Sequence, residues 1–135
     1  MPSTKFDADA QQEFEDLVTW VKSAQMEPER GKKNRLVCVD KARGDRVRPF
    51  LVKLGYANIP HLASLQRICG ESTIDKPNDE RSVLLFPLSI GPTSEGASSA
   101  SVQVAGEVLE PGTYIRLTKS LQLNAMLDYL LIILQ

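Results

Sequence analysis

Phe14, Leu17, Val18 and Val21 recur at the i, i+3, i+4, i+7 spacing that sets four apolar side chains on one helical face. The spacing predicts an amphipathic helix over 7–25, within an acidic segment spanning 6–27. Asp7 or Asp9 can cap its start, and Glu13, Glu15 and Asp16 lie toward the end where the helix dipole favours negative charge. Pro28 and Gly31 stop it. Trp20 falls off the stripe, either at the margin of the core or as a contact residue. The apolar run at 35–40 (RLVCVD) predicts a short strand. A turn follows at 42–45, then a short helix over 46–54, capped by Asp45, with Pro49 in its first turn and Gly55 just past its end. Asn58 can cap a further helix, with Pro60 in its first turn, Gly70 at its end and Leu62, Leu65 and Cys69 on its inner face. Together these two helices make a helical hairpin.

The polar stretch 71–81 (ESTIDKPNDER) reads as a mobile loop. Residues 82–90 (SVLLFPLSI) are too apolar for a surface strand and predict a buried one, with Pro87 forcing a bulge or an edge position. Residues 91–100 (GPTSEGASSA) are low in complexity and predict a second mobile loop. Alternation over 101–109, the turn Glu110-Pro111-Gly112 and the strand-like 113–117 predict a hairpin. The last segment, 120–134, reads as a helix that is apolar nearly all round, interrupted by Asn124 and Asp128. Burying such a helix on every side within one small protomer is difficult. Leu127, Tyr129, Leu130, Leu131, Ile133 and Leu134 are therefore the candidate oligomer or partner interface. The expected fold is one α+β domain over 1–135. It has a mixed or antiparallel sheet of about four strands, an N-terminal amphipathic helix, a central helical hairpin and an apolar C-terminal helix.

Charge changes this picture more than composition does. With 135 residues the chain has the size of one domain and can bury roughly two-thirds of its unfolded surface without staples. Its formal net charge is only −1, but nine of its 16 Lys and Arg residues fall between positions 30 and 53. They are Arg30, Lys32, Lys33, Arg35, Lys41, Arg43, Arg46, Arg48 and Lys53, opposed there only by Asp40 and Asp45. Segregation of this kind creates a local field that the net charge hides, and it points toward an anionic partner. The acidic segment before it is the obvious counterweight in cis.

Candidate chemistry is thin. The single histidine, His61, limits acid–base and nucleophilic schemes. Two cysteines, Cys38 and Cys69, make no disulfide framework, and their spacing with His61 does not resemble a zinc site. If 58–70 were helical, Cys69 would lie about 12 Å from His61 along the axis, and Cys38 could approach it only through tertiary folding. No glycine-rich phosphate loop is present. The expectation is therefore no catalytic residues, no metal and no cofactor. The N-terminal segment lacks the layout of a secretion signal and no segment is apolar enough to span a membrane. A cytoplasmic or nuclear, intracellular setting is expected.

The reading that follows is a non-enzymatic, homo-oligomeric protein that holds an anionic polymer, RNA in the first instance, through the basic segment. The alternative is a protein–protein assembly or scaffold subunit, matrix-like and virus-encoded in one version, whose basic segment docks on an acidic protein surface.

Overall fold

A computed structural model describes residues 4–91, 102–104 and 107–135. In chain order the elements are β1 (Thr4–Lys5), a 3-10 turn (Ala8–Ala10), α1 (Gln11–Val21), β2 (Met26–Pro28), β3 (Arg35–Cys38), α2 (Arg43–Leu54), β4 (His61–Ile74), β5 (Ser82–Ile90), β6 (Val102–Val104), β7 (Glu107–Leu109), β8 (Thr113–Leu117) and β9 (Leu121–Leu134). Seven strands form one antiparallel sheet in the order β1-β8-β5-β9-β4-β3-β2, and β6 pairs with β7 apart from it. No helix among the described residues is long and apolar enough to cross a membrane.

The molecule is thus mostly sheet, not the α+β fold with about four strands that the sequence suggests. The expected C-terminal helix is β9, the central strand. It pairs with β4 along its whole length and with β5 from Leu127 to Leu134. Its burial alternates from Leu121 to Met126 and is continuous from Leu127 to Ile132. A strand covered on both faces reads as an unbroken apolar run, which periodicity alone cannot tell from a buried helix.

The second helix of the expected hairpin is also a strand, β4. Pairing with β9 from His61–Leu134 to Ile74–Leu121 overrides the weak helical spacing of Leu62, Leu65 and Cys69. Glu71 to Ile74, assigned to a loop, extend β4. The remaining loop is tied down where the Lys76 N–H donates to Ser120 Oγ at 2.9 Å and the Arg81 N–H to Asp79 Oδ1 at 2.9 Å. The expected hairpin of 101–109 with 113–117 is replaced: β6 pairs with β7, and β8 pairs with β5 and β1. Of the expected loop at 91–100, residues 92–100 lie outside the described residues.

Other expectations hold. Asp7 accepts the Asp9 N–H at 3.1 Å at the start of the first helical segment. Pro87 sits beside a register shift between Pro87 and Ser89, a bulge. Gly55 ends α2 in the left-handed region at φ 86°. The helix begins at Arg43, earlier than expected, with Ala42 rather than Asp45 at its N-cap, so Asp45 sits in the first turn and Pro49 falls inside the helix, on an exposed position.

Two cores flank the sheet. On one face α1 and α2 lay Phe14, Leu17, Val21, Val47, Phe50 and Leu51 against Leu65, Leu84, Phe86, Leu88, Leu130 and Ile132. All four phenylalanines meet here. The Phe6–Phe14, Phe14–Phe50 and Phe50–Phe86 ring centroids are 5.1, 5.7 and 5.6 Å apart, the range in which tilted aromatic pairs attract.

The other face buries Ile68, Ile74, Val83, Leu85, Ile115, Leu117, Leu121, Leu123 and Tyr129. Among the described residues no helix packs in this core; the paired strands β4 and β9 themselves fold over. Arg35 stands opposite Ile68, yet its Nη1 donates to the Thr73 carbonyl at 2.8 Å. Along a flat strand those five residues span roughly 17 Å, well beyond the reach of one arginine. β4 must therefore bend between them. Gly70, at φ 137°, lies in that interval, and a Cβ there would meet the Asn34 side chain at 3.2 Å.

Candidate functional site

The basic segment divides into two unlike halves. Its first half lies on the β2–β3 hairpin under the bent end of β4. Lys32 Nζ contacts Asp75 Oδ2 at 2.6 Å. Arg35, only 6% exposed, donates from Nε to Glu29 in a short contact, and its Nη2 lies 3.6 Å from Asp75 Oδ2. Burial opposes its charge. The hydrogen bond with Glu29 and the fields of Tyr129, Glu29 and Asp75 outweigh that and raise its pKa. Arg35 thus clamps the fold. Arg30 and Lys33 stand exposed on the same hairpin connection.

The second half is α2 and its approach. Asp40 Oδ1 accepts the Ala42 N–H at 3.0 Å and Oδ2 the Gln25 N–H at 3.1 Å. These two backbone donors hold the Asp40 carboxyl below its ordinary value. Val47, Phe50 and Leu51 anchor the helix to the core, which turns Arg43, Arg46, Arg48 and Lys53 outward, with Lys41 exposed just before them. Arg43 Nη1 donates to the Asp40 carbonyl at 2.9 Å. The Arg46 guanidinium lies 6.0 Å from the Trp20 ring centroid, at the edge of cation–π range. Trp20 is therefore both a core-margin residue and a platform for Arg46.

The acidic helix does not neutralise this face by contact. Among the described residues no ion pair joins a carboxylate of α1 to a cation of α2. Glu15 and Asp16 instead accept from Gln11 at 3.2 Å and Gln12 at 2.9 Å, within α1.

Beside α2 opens a cleft of about 680 Å³. Its walls are Val47, Leu51, Arg43 and Arg48 of α2, Val37 to Val39 at the end of β3, and His61 to Leu65 without Leu62 on β4. Sequence reasoning missed this site, because placing His61 in a helix removed β4 from view. His61 and Cys38 share the cleft, but the His61 ring pairs its Nδ1 with the Ile59 carbonyl at 2.6 Å. No hydrogen bond among the described residues joins His61 to Cys38, and no group of three His, Cys, Asp or Glu side chains is gathered to hold a metal ion.

A second polar centre lies at the bulge in β5. Arg67 donates to both Asp128 oxygens, at 2.5 and 3.2 Å, and to the Val21 carbonyl at 3.3 Å, while Ser89 Oγ donates to Asp128 at 3.1 Å. The hydrogen bond to Asp128 is the chief reason the Arg67 pKa is raised. This network pins the end of α1 to the sheet.

Of the residues expected at an oligomer interface, four are buried in the cores. Leu130 packs under the helices, and Leu127, Tyr129 and Leu131 pack in the second core. Ile133 and Leu134 are half-buried at their edges. The Tyr129 hydroxyl donates to Gln66 Oε1 in a short contact, and burial pushes its pKa up.

No protein-family model, curated protein or solved structure matches the chain.

Proposed function

We propose that the chain is a non-enzymatic binding protein for an anionic polymer, RNA in the first instance, and that the outer face of α2 is its contact surface. The observation that carries this reading is the state of the charge on that face. Lys41, Arg43, Arg46, Arg48 and Lys53 are all exposed, with Asp45 as the only acid within the helix. A rigid helix presents these donors at fixed spacing, so little ordering is needed when phosphates dock. Trp20, held beneath Arg46, adds a ring on which a base can stack. Arg35 and Lys32 take no part, because their charges are committed to Glu29 and Asp75. Nor does an oligomer built on Leu127, Tyr129, Leu130 and Leu131, since those residues are sheet core.

Size-exclusion chromatography with light scattering at low and high salt, read at 260 and 280 nm, tests the reading. Nucleic acid that travels with the protein and is stripped by salt is the expected result. A nucleic-acid-free oligomer that salt splits into monomers would overturn it, and would instead favour α2 docking on the acidic α1 of a neighbouring copy.

A further inference from the structure

The outer edge of β4 is open where it borders the cleft. β3 ends at Cys38, and its pairing with β4 stops at Val37–Gln66. From His61 to Ser64, β4 has β9 on one side and, among the described residues, no strand on the other. The direction of its backbone groups follows from one hydrogen bond. The Cys69 N–H donates to the Asn34 carbonyl, on the β3 side, at 2.9 Å. Backbone groups alternate along an antiparallel strand, so residues 67, 65, 63 and 61 turn theirs the same way. For Ala63 and His61 that side is the cleft, and no backbone partner meets them there among the described residues.

A further feature fits an extended peptide. Arg43 and Arg48 line the opposite wall, where Asp45 is the only carboxylate. We infer that this cleft takes an extended, acidic peptide segment of a partner protein, which adds as a strand to the edge of β4 between His61 and Ser64. Main-chain hydrogen bonds to Ala63 and His61 supply affinity, alternate apolar side chains meet Val47 and Leu51, and acidic ones meet Arg43 and Arg48. A second copy of this chain fits less well, since joining two such edges would bring both pairs of arginines together. The site shares Arg43 and Arg48 with the proposed nucleic-acid surface, but Arg46 and Lys53 are not among its walls. Arg46 and Arg48 stand roughly 160° apart around the helix, so changes at Arg46 and Lys53 leave the cleft untouched.

The probe is a fluorescein-labelled, acetylated peptide of alternating glutamate and valine, titrated against the full chain by anisotropy. Its comparators are a lysine–valine peptide and the glutamate–valine peptide N-methylated at alternate residues. Binding by the first peptide, weakened at least tenfold in either comparator, is the expected result. Ala63→Pro, which removes an N–H that β9 does not use, should abolish binding with the far-ultraviolet circular dichroism unchanged. Arg43→Glu with Arg48→Glu should reverse the preference to the lysine peptide, and Arg46→Glu with Lys53→Glu should leave peptide affinity unaltered. N-methylation without effect on wild-type protein would overturn strand addition even if Ala63→Pro fails to fold. Equal affinity for the acidic and basic peptides would overturn the acidic preference. A wild-type dimer that Ala63→Pro makes monomeric would make a second copy the occupant, against the proposal.

Discussion

The two halves of the basic segment differ in what their charge is used for. On the β2–β3 hairpin, Arg35 and Lys32 meet Glu29 and Asp75, and Arg35 reaches across to the Thr73 carbonyl. On α2 the cations project from a helix whose apolar side is fixed to the core, and Glu15 and Asp16 of α1 accept hydrogen bonds within α1. In sequence the halves are one run of bases. In space one half holds the sheet curled and the other stands exposed. What separates them is distance to a carboxylate that the topology brings near, and Asp75 lies 40 residues beyond Arg35 in the chain.

The largest effect should come from the first half. Arg35→Met should lower unfolding free energy in urea by about 2–3 kcal/mol, below the full cost of breaking a buried pair because Glu29 and Asp75 remain partly wetted. Protein that folds should bind RNA as before. Charge reversal in the second half should do the opposite. Arg46→Glu with Lys53→Glu should weaken RNA binding about tenfold or more and move stability by no more than about 0.5 kcal/mol. If both variants lose stability and binding together, the division between the halves fails.

Tyr129→Phe should cost about 1–2 kcal/mol, since it strands the Gln66 acceptor inside the second core. Burial raises the Tyr129 pKa, so the folded state holds its proton more tightly than the unfolded chain does. Its stabilisation is then fully present below the ordinary tyrosine value and lost as pH rises through the folded one. Urea titrations from neutral to alkaline pH should show wild type losing stability above about pH 10, and Tyr129→Phe losing less over that interval.

The smallest effect concerns the entrance to α2. Asp40 has a lowered pKa, so its contribution is present above the ordinary aspartate range and lost as pH falls through its folded value. Acid titration of stability should therefore be shallower in Asp40→Asn than in wild type. Parallel curves would mean that the contacts with Gln25 and Ala42 do not set the helix entrance.

Local signals survived into the structure where local physics decides. The stripe of Phe14, Leu17 and Val21, the cap at Asp7, the break at Gly55 and the bulge at Pro87 each depend on residues within a few positions. The failures are segments whose shape is set by distant partners. Residues 121–125 (LQLNA) alternate as a strand should, but the continuous run from Leu127 onward masks that short signal. In β4 the polar positions Gln66 and Arg67 hid an interior strand, because each finds its partner only through folding: Gln66 with Tyr129, Arg67 with Asp128. Of the candidate site, the cationic residues of α2 were legible as charge. Their separation from Arg35 was not, since nothing near Arg35 in sequence shows the bend at Gly70.

The most direct measurement is the slope of log affinity against log salt for single-stranded RNA. It would be taken by anisotropy on wild type, Arg46→Gln with Lys53→Gln, and Lys32→Gln. Each phosphate contact adds about 0.7 to that slope. The account predicts a slope shallower by about 1.4 in the α2 variant and no change in Lys32→Gln, whose charge is already held by Asp75. An unchanged slope in the α2 variant, or an equal loss in Lys32→Gln, would contradict it.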